Sequence, residues 1–288
     1  MDKKKIQALI TLLDDPNQEI FSAVEGELLK EEVVIVPELE KAWEMTMDAG
    51  YQRRLENLTH TLQFRNVKNE LRNWLASSED LLYGAYLVSK YQYPELKYED
   101  VNAKLTKIKT DVWLELNDHL TALEKVRIIN HIMFDVYGYA RNKTNFMAAQ
   151  NSLICDVLDT RKGNPISLSV IYSVVAQRLG LPVFGVNLPK NFILAYMDDG
   201  ADLVHSENGV EGSVLFYINP INKGAVLGRK EIEFFIRQQK LDLLESYFLP
   251  CHNREIVRRM LNNLLYAYET ANQVDKTNEI RELLSIFP

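Results

Sequence analysis

The chain has 288 residues, which at ~150 residues per domain predicts two domains. Hydrophobic residues make up 47% and charged residues 25%, with 12 Gly and 9 Pro, so disordered and collagenous chains are excluded. The formal net charge of −7 argues against nucleic acid as a partner, because phosphate binding needs clustered Lys and Arg. Two cysteines far apart in sequence, Cys155 and Cys251, make no disulfide framework and point to the reducing cytoplasm.

At the N-terminus an apolar stretch after Lys3-Lys-Lys5 is broken by Gln7 and ended by Asp14-Asp15, so no export signal is expected. No apolar run approaches the ~20 residues of a membrane span. Ile6, Leu9, Ile10 and Leu13 recur at the spacing of an amphipathic helix. Asp14-Asp-Pro-Asn17 stops it, and Ile20, Phe21, Val24 and Leu28 form a second apolar face. A helix after Pro37 breaks at Asp48-Ala-Gly50, ahead of Leu55, Leu58 and Leu62. Another break at Ser77-Ser-Glu-Asp80 precedes Leu81, Leu82, Ala85 and Tyr86. Three turns about 30 residues apart suit an array of helical repeats. The run Leu12-Leu-Asp-Asp-Pro-Asn-Gln-Glu-Ile20 resembles the inner turn of HEAT repeats.

A linking helix is expected over residues 98–116, followed by a helix at Leu123–Phe134 and a loop at Tyr137-Gly-Tyr-Ala-Arg-Asn142. Leu153 to Leu158 reads as a short amphipathic turn. Asn164 is then a good N-cap, and Pro165 suits the first helical position. The helix that follows is apolar on most sides through Leu168, Val170, Ile171, Val174 and Val175, so it is expected to be buried, with Gly180 as its C-cap. Beyond it the period changes to two. Val183–Val186, Phe192–Tyr196 and Val214–Ile218 are expected strands, with turns at Asp198-Asp-Gly200 and Asn208-Gly209. One buried helix followed by an antiparallel sheet predicts an α+β core. Two amphipathic helices, near Arg254–Tyr268 and Lys276–Ile286, close the chain and are expected to form a hairpin on the core. The domains are therefore expected at 1–92 (helical repeats), 93–242 (α+β core) and 243–288 (helical hairpin).

Four segments carry a family resemblance. They are Arg161-Lys-Gly-Asn-Pro-Ile-Ser-Leu-Ser169, Val175-Ala-Gln-Arg-Leu-Gly-Leu-Pro182, Gly185-Val-Asn-Leu-Pro-Lys-Asn-Phe192 and Phe216-Tyr-Ile-Asn-Pro220. In this order they resemble the transglutaminase-like superfamily, and within it the bacterial SirB-type branch, over roughly residues 120–288. The resemblance implies that catalytic members place a cysteine at the head of the buried helix, a histidine at the start of a strand and an aspartate at the end of the next. The helix dipole favours a thiolate there, the histidine moves the proton, and the carboxylate orients it. At those positions this chain has Pro165, Asn191 and Asn219. Proline carries no nucleophile and asparagine no titratable proton. The SirB-type branch usually resembles this chain at the proline and commonly keeps a histidine, in Pro-Gly-His-Phe, so Asn191 is a further departure.

No other residue restores the chemistry. Cys155 sits beside Asp156, whose charge raises a thiol pKa, and reads as a buried inert cysteine. Ser167 and Ser169 lie in the first helical turns with no histidine near in sequence. Cys251-His252 reads as a helix start. His60, His119, His131 and His205 lack metal-ligand spacing, and Asp198, Asp199 and Asp202 lack the calcium-loop pattern, so no metal and no cofactor are expected. Arg258-Arg259 is too short a basic run to mark a site. The expectation is a non-catalytic, cytoplasmic protein that binds a protein or peptide, with Asn164, Ser167, Lys190 and Arg161 as candidate binding residues. The alternative is a cysteine- or serine-dependent acyl-transfer hydrolase with an unrecognised nucleophile.

Overall fold

The structure is a computed structural model that describes residues 2–77, 80–198 and 213–288. The expected turn at Asn208-Gly209, together with Asp199, Gly200, Asp202 and His205, lies outside those residues. The chain divides into two compact units, Met1–Asn73 and Trp74–Pro288.

The first unit holds α1 (Lys3–Leu12), α2 (Gln18–Leu28), α3 (Val36–Met45) and most of α4 (Ala49–Ser77). Of the residues the periodicity marks, Ile6, Ile10, Leu13, Val24, Leu28, Leu55, Leu58 and Leu62 are buried in its core, together with Leu39, whereas Leu9 and Phe21 are half-buried and Ile20 is exposed. Asn17 caps α2 by accepting from the Glu19 N–H at 2.9 Å. Side chains of α4 supply what the ends of α1 and α2 lack. The Arg54 guanidinium donates to the Leu13 and Asp15 carbonyls at 2.7 and 2.8 Å, and Arg65 does the same for Leu29 and Glu31. Terminal helix carbonyls have no intrahelical donor, so these arginines satisfy both ends at once.

The second unit is α+β, with helices around a small antiparallel sheet. It begins with α5 (Leu81–Gln92), α6 (Tyr98–Trp113) and α7 (Ala122–Asn130). A wide turn over His131–Val136 follows α7, where the Tyr137 N–H reaches back five residues to the Ile132 carbonyl at 2.9 Å. The expected helix to Phe134 thus ends four residues early and continues in this looser form. Next come β1 (Ala140–Arg141), α8 (Ile154–Thr160), β2 (Lys162–Gly163) and α9 (Pro165–Gln177). All residues from Ile166 to Ala176 in α9 are buried, as an all-round apolar helix requires. It packs against α5, α6 and α8. Gly180, at φ +74°, lets the Leu181 N–H bond the Ala176 carbonyl at 3.0 Å and so closes α9.

The sheet runs in the order β3 (Val183–Val186), β4 (Ile193–Met197), β5 (Val214–Asn219) and β6 (Ala225–Leu227). Phe192, expected inside a strand, stands just before β4. The strand β6 and the helix α10 (Arg229–Gln238) were not expected; the three residues of β6 show no period, whereas Ile232, Phe235 and Ile236 of α10 do stand at helical spacing. The chain ends with α11 (Asn253–Thr270) and α12 (Val274–Leu284), where α11 packs on α5, α9 and α12. The helix α5 also belongs here. Gly84 lets it approach closely, because a Cβ at that position would meet the Trp74 ring and Val257 at 2.7 Å. Asp198, expected at a solvated hairpin tip, accepts from Ser213 at 3.1 and 2.8 Å at the end of the β4–β5 pair.

A candidate binding cleft at the head of helix α9

The buried helix begins where the sequence pattern places it. The Asn164 Oδ1 accepts from the Ser167 N–H at 3.0 Å, and the Ser167 Oγ accepts from the Asn164 N–H at 3.1 Å, so each side chain caps the other. The Asn164 amide also donates to the Ser152 Oγ at 2.8 Å. Gly163 precedes this cap because a Cβ there would meet the Ser167 Oγ at 2.6 Å. Around the helix head runs the segment 142–153, pinned by the buried Asn151. Its amide donates to the carbonyls of Asn145 and Phe146 at 2.7 and 3.0 Å, and its Oδ1 accepts from Asn142 at 2.9 Å.

A cleft of about 210 Å³ opens at this point. The head of α9 lines it with Asn164, Pro165 and Ile166, and the turn into β4 with Lys190, Asn191 and Phe192. Ser152 and Phe146 come from the pinned segment, and Arg259, Asn263 and Tyr266 from α11. A second hollow of about 380 Å³, bordered by Tyr93, Gln150 and Lys276, shares the wall formed by Met147 and Ala148.

Pro165 and Asn191 therefore meet in one cleft. The Asn191 Oδ1 accepts from its neighbour's N–H, that of Phe192, at 2.9 Å, which leaves its amide hydrogens for the cleft. Asn219 does not line the cleft. It stands one residue beyond the Leu194–Ile218 pair, level with the start of β4, and its Oδ1 is buried without a hydrogen-bond donor. Of the candidate binding residues, Asn164 and Lys190 line the cleft. Ser167 is fully buried in the cap, and Arg161 sits at φ +59° after α8 with its guanidinium 5.9 Å above the Tyr137 ring.

Sequence reasoning missed Ser152, Arg259, Asn263 and Tyr266. The last three are more than 90 residues from Pro165 on an amphipathic helix, and nothing local marks them. The pair Arg258-Arg259 splits by helix geometry: Arg258 is exposed and donates to the Pro288 carbonyl at 2.8 Å, whereas Arg259 turns into the cleft. The Arg259 guanidinium donates to the neutral Asn187 Oδ1 at 2.9 Å, and burial pulls its pKa below the usual value.

Neither thiol suits nucleophilic chemistry. Burial, helped by the Asp156 carboxylate, pushes Cys155 up to about 11. Burial and the Glu255 carboxylate push Cys251 up to about 12. Both are thus protonated at neutral pH, and the thiolate is the reactive species. Iodoacetamide at pH 7.5 is expected to label neither cysteine of the folded chain and both in urea, read by intact mass. Rapid labelling of Cys155 in the folded protein would show that this account of its surroundings is wrong. Ser169 is also occupied, donating to the Pro165 carbonyl at 2.7 Å. Among the described residues no group of three or more His, Cys, Asp or Glu is placed to hold a metal, and no helix is long and apolar enough to cross a membrane.

A buried helix with its head facing a strand start and an antiparallel sheet defines a transglutaminase-like core. The family model of that superfamily matches residues 99–262, and the chain belongs to the transglutaminase-like superfamily. A UPF0162 protein of Xylella fastidiosa is 29% identical over 220 residues, covering 72% of each chain. A UPF0162 protein of Vibrio cholerae is 22% identical over 157 residues, covering 54% of this chain and 53% of that one. F-box only protein 21 of Mus musculus is 24% identical over 243 residues, which cover 73% of this chain and 36% of its own length. No solved structure matches.

Proposed function

We propose that this chain is a non-catalytic member of its superfamily and acts by binding a peptide or protein segment in the cleft at the head of α9. The observation that carries this reading is Pro165 in the cleft, at the head of the helix where the superfamily resemblance implies a cysteine. Proline removes the thiol and also the backbone N–H, so the position offers neither a nucleophile nor a donor to a developing oxyanion. Asn191 in the same cleft transfers no proton at any working pH. Asn219 supports the reading from another side: its buried Oδ1 is an acceptor with no donor, as expected where a histidine partner is missing. The SirB-type branch and a cytoplasmic location belong to this proposal, supported by the proline and by two unpaired cysteines. The hydrolase alternative would now need Ser152, the one aliphatic hydroxyl lining the cleft among the described residues, and no histidine lines the cleft with it.

The direct test rebuilds the implied triad with Pro165→Cys, Asn191→His and Asn219→Asp in one chain. The introduced thiol is expected to react with iodoacetamide well below the reference thiol pKa of about 8.5. A folded triple variant whose new thiol reacts no faster than an ordinary cysteine would show that the three positions are misassigned. Turnover of a peptide or ester by the unmodified chain, lost on Ser152→Ala or Cys155→Ser, would sink the non-catalytic reading.

A further inference from the structure

The charge of the cleft is one-sided. Its charged lining groups are Lys190 and Arg259, and no Asp or Glu is among the described lining residues. In a chain of net charge −7 that is a local inversion of sign. Arg259 is half-buried, and among the described residues no carboxylate pairs with it; its hydrogen bond goes to neutral Asn187. A guanidinium removed from water needs a compensating partner. Ser152 is 2% exposed, and its Oγ accepts from Asn164, so its own O–H is left to donate. The Asn191 Oδ1 is taken by the Phe192 N–H, so that side chain also offers donors alone. Lys190 is held at φ +60°, a backbone region that costs a non-glycine residue energy and often accompanies function. The positive end of α9 opens on the same space.

We infer that this cleft is an anion site that takes the C-terminal carboxylate of a bound chain; the inference rests on the binding reading above and names its ligand. Lys190, Arg259, the Ser152 O–H and the Asn191 amide all donate, Asn263 and Tyr266 each carry a donor as well, and a carboxylate is an acceptor only. The volume suits a chain end. A cleft of about 210 Å³ has room for one residue and its carboxylate. Phe146 and Tyr266, exposed at 40% and 55%, flank the cleft and suit an apolar last side chain. Capture of a chain terminus by clustered donors is an established mode of peptide recognition.

The test is an amide-resolved NMR titration of the full chain with three peptides: acetyl-Ala-Ala-Leu as free acid, the same peptide as C-terminal amide, and acetyl-Ala-Asp-Ala amide. The free acid is expected to shift the Ile166, Asn191 and Phe192 amides saturably and to bind at least about tenfold more tightly than either amide. Arg259→Gln and Lys190→Gly are each expected to weaken the free acid and to narrow its advantage over the leucine amide. Lys190→Gly suits the positive φ, so this variant keeps its fold. Equal binding of acid and leucine amide would overturn the carboxylate inference and leave cleft binding standing. Binding of the aspartate peptide as tight as the free acid would overturn the chain end as source. Unmoved cleft amides with every peptide at millimolar concentration would overturn both readings. Cleavage of a probe would overturn the non-catalytic reading and leave the anion site.

Discussion

Replacing Asn164 with alanine is expected to destabilise the second unit by about 2–4 kcal/mol, because one side chain serves two buried partners. Its Oδ1 satisfies the Ser167 N–H at the head of the most buried helix, and its amide satisfies the Ser152 Oγ. Asn164 is 7% exposed and both partners are nearly inaccessible, so water does not replace what alanine removes. A cap lost at a surface helix costs ~1 kcal/mol, and a buried donor left without an acceptor adds about 1–3 kcal/mol. Asn164→Asp separates the two contributions, since it keeps the acceptor for Ser167 and loses the donor to Ser152. Urea unfolding of the three chains is the measurement. A cost below ~0.5 kcal/mol for alanine, within the scatter of ordinary surface changes, would show that the cap is not what sets the helix start.

Gly224→Ala is expected to cost about 2–5 kcal/mol, for two reasons that add. The residue has φ +70°, which L side chains adopt only at a cost of ~1–2 kcal/mol. A Cβ there would also overlap the Asn130 amide, whose nitrogen donates to the Gly224 carbonyl at 2.9 Å. That bond ties the β5–β6 connection to the end of α7, and the Gly224 N–H in turn holds the Asn219 carbonyl at 3.0 Å. Overpacking of this kind adds about 1–3 kcal/mol. Because the overlap is with one side chain, Asn130→Ala should relieve part of it. A double-mutant cycle is expected to show a coupling of at least ~1 kcal/mol between the two sites. Strict additivity would mean that the backbone conformation alone sets the cost.

Several features were legible in the residues themselves. Asn164-Pro165 announced a helix start, because an asparagine cap and a proline at the first position are local chemistry needing no tertiary partner. The all-round apolar run after it announced burial, and the change of period after Gly180 announced strands. Those features are short in range, so the α+β core could be read along the chain. The strand β6 could not, since three residues carry no period and exist as a strand only by pairing Ala225 to Leu227 with Asn219 to Tyr217.

The cleft lies at the other extreme. Pro165 and Asn191 could be set side by side from family motifs, but the groups that give the site its sign come from elsewhere. Ser152 was hidden in an irregular segment whose course depends on the buried Asn151. Arg259 looked like half of an ordinary basic pair, and only the packing of α11 against α9 turns it towards Pro165 and its neighbour Arg258 towards the C-terminus. The sequence by itself determined which helix is central and that its head carries no cysteine, since both follow from side-chain identity. The tertiary structure decided what faces that head, because a side chain's distance in space is set by packing between elements and leaves no mark on its neighbours in the chain.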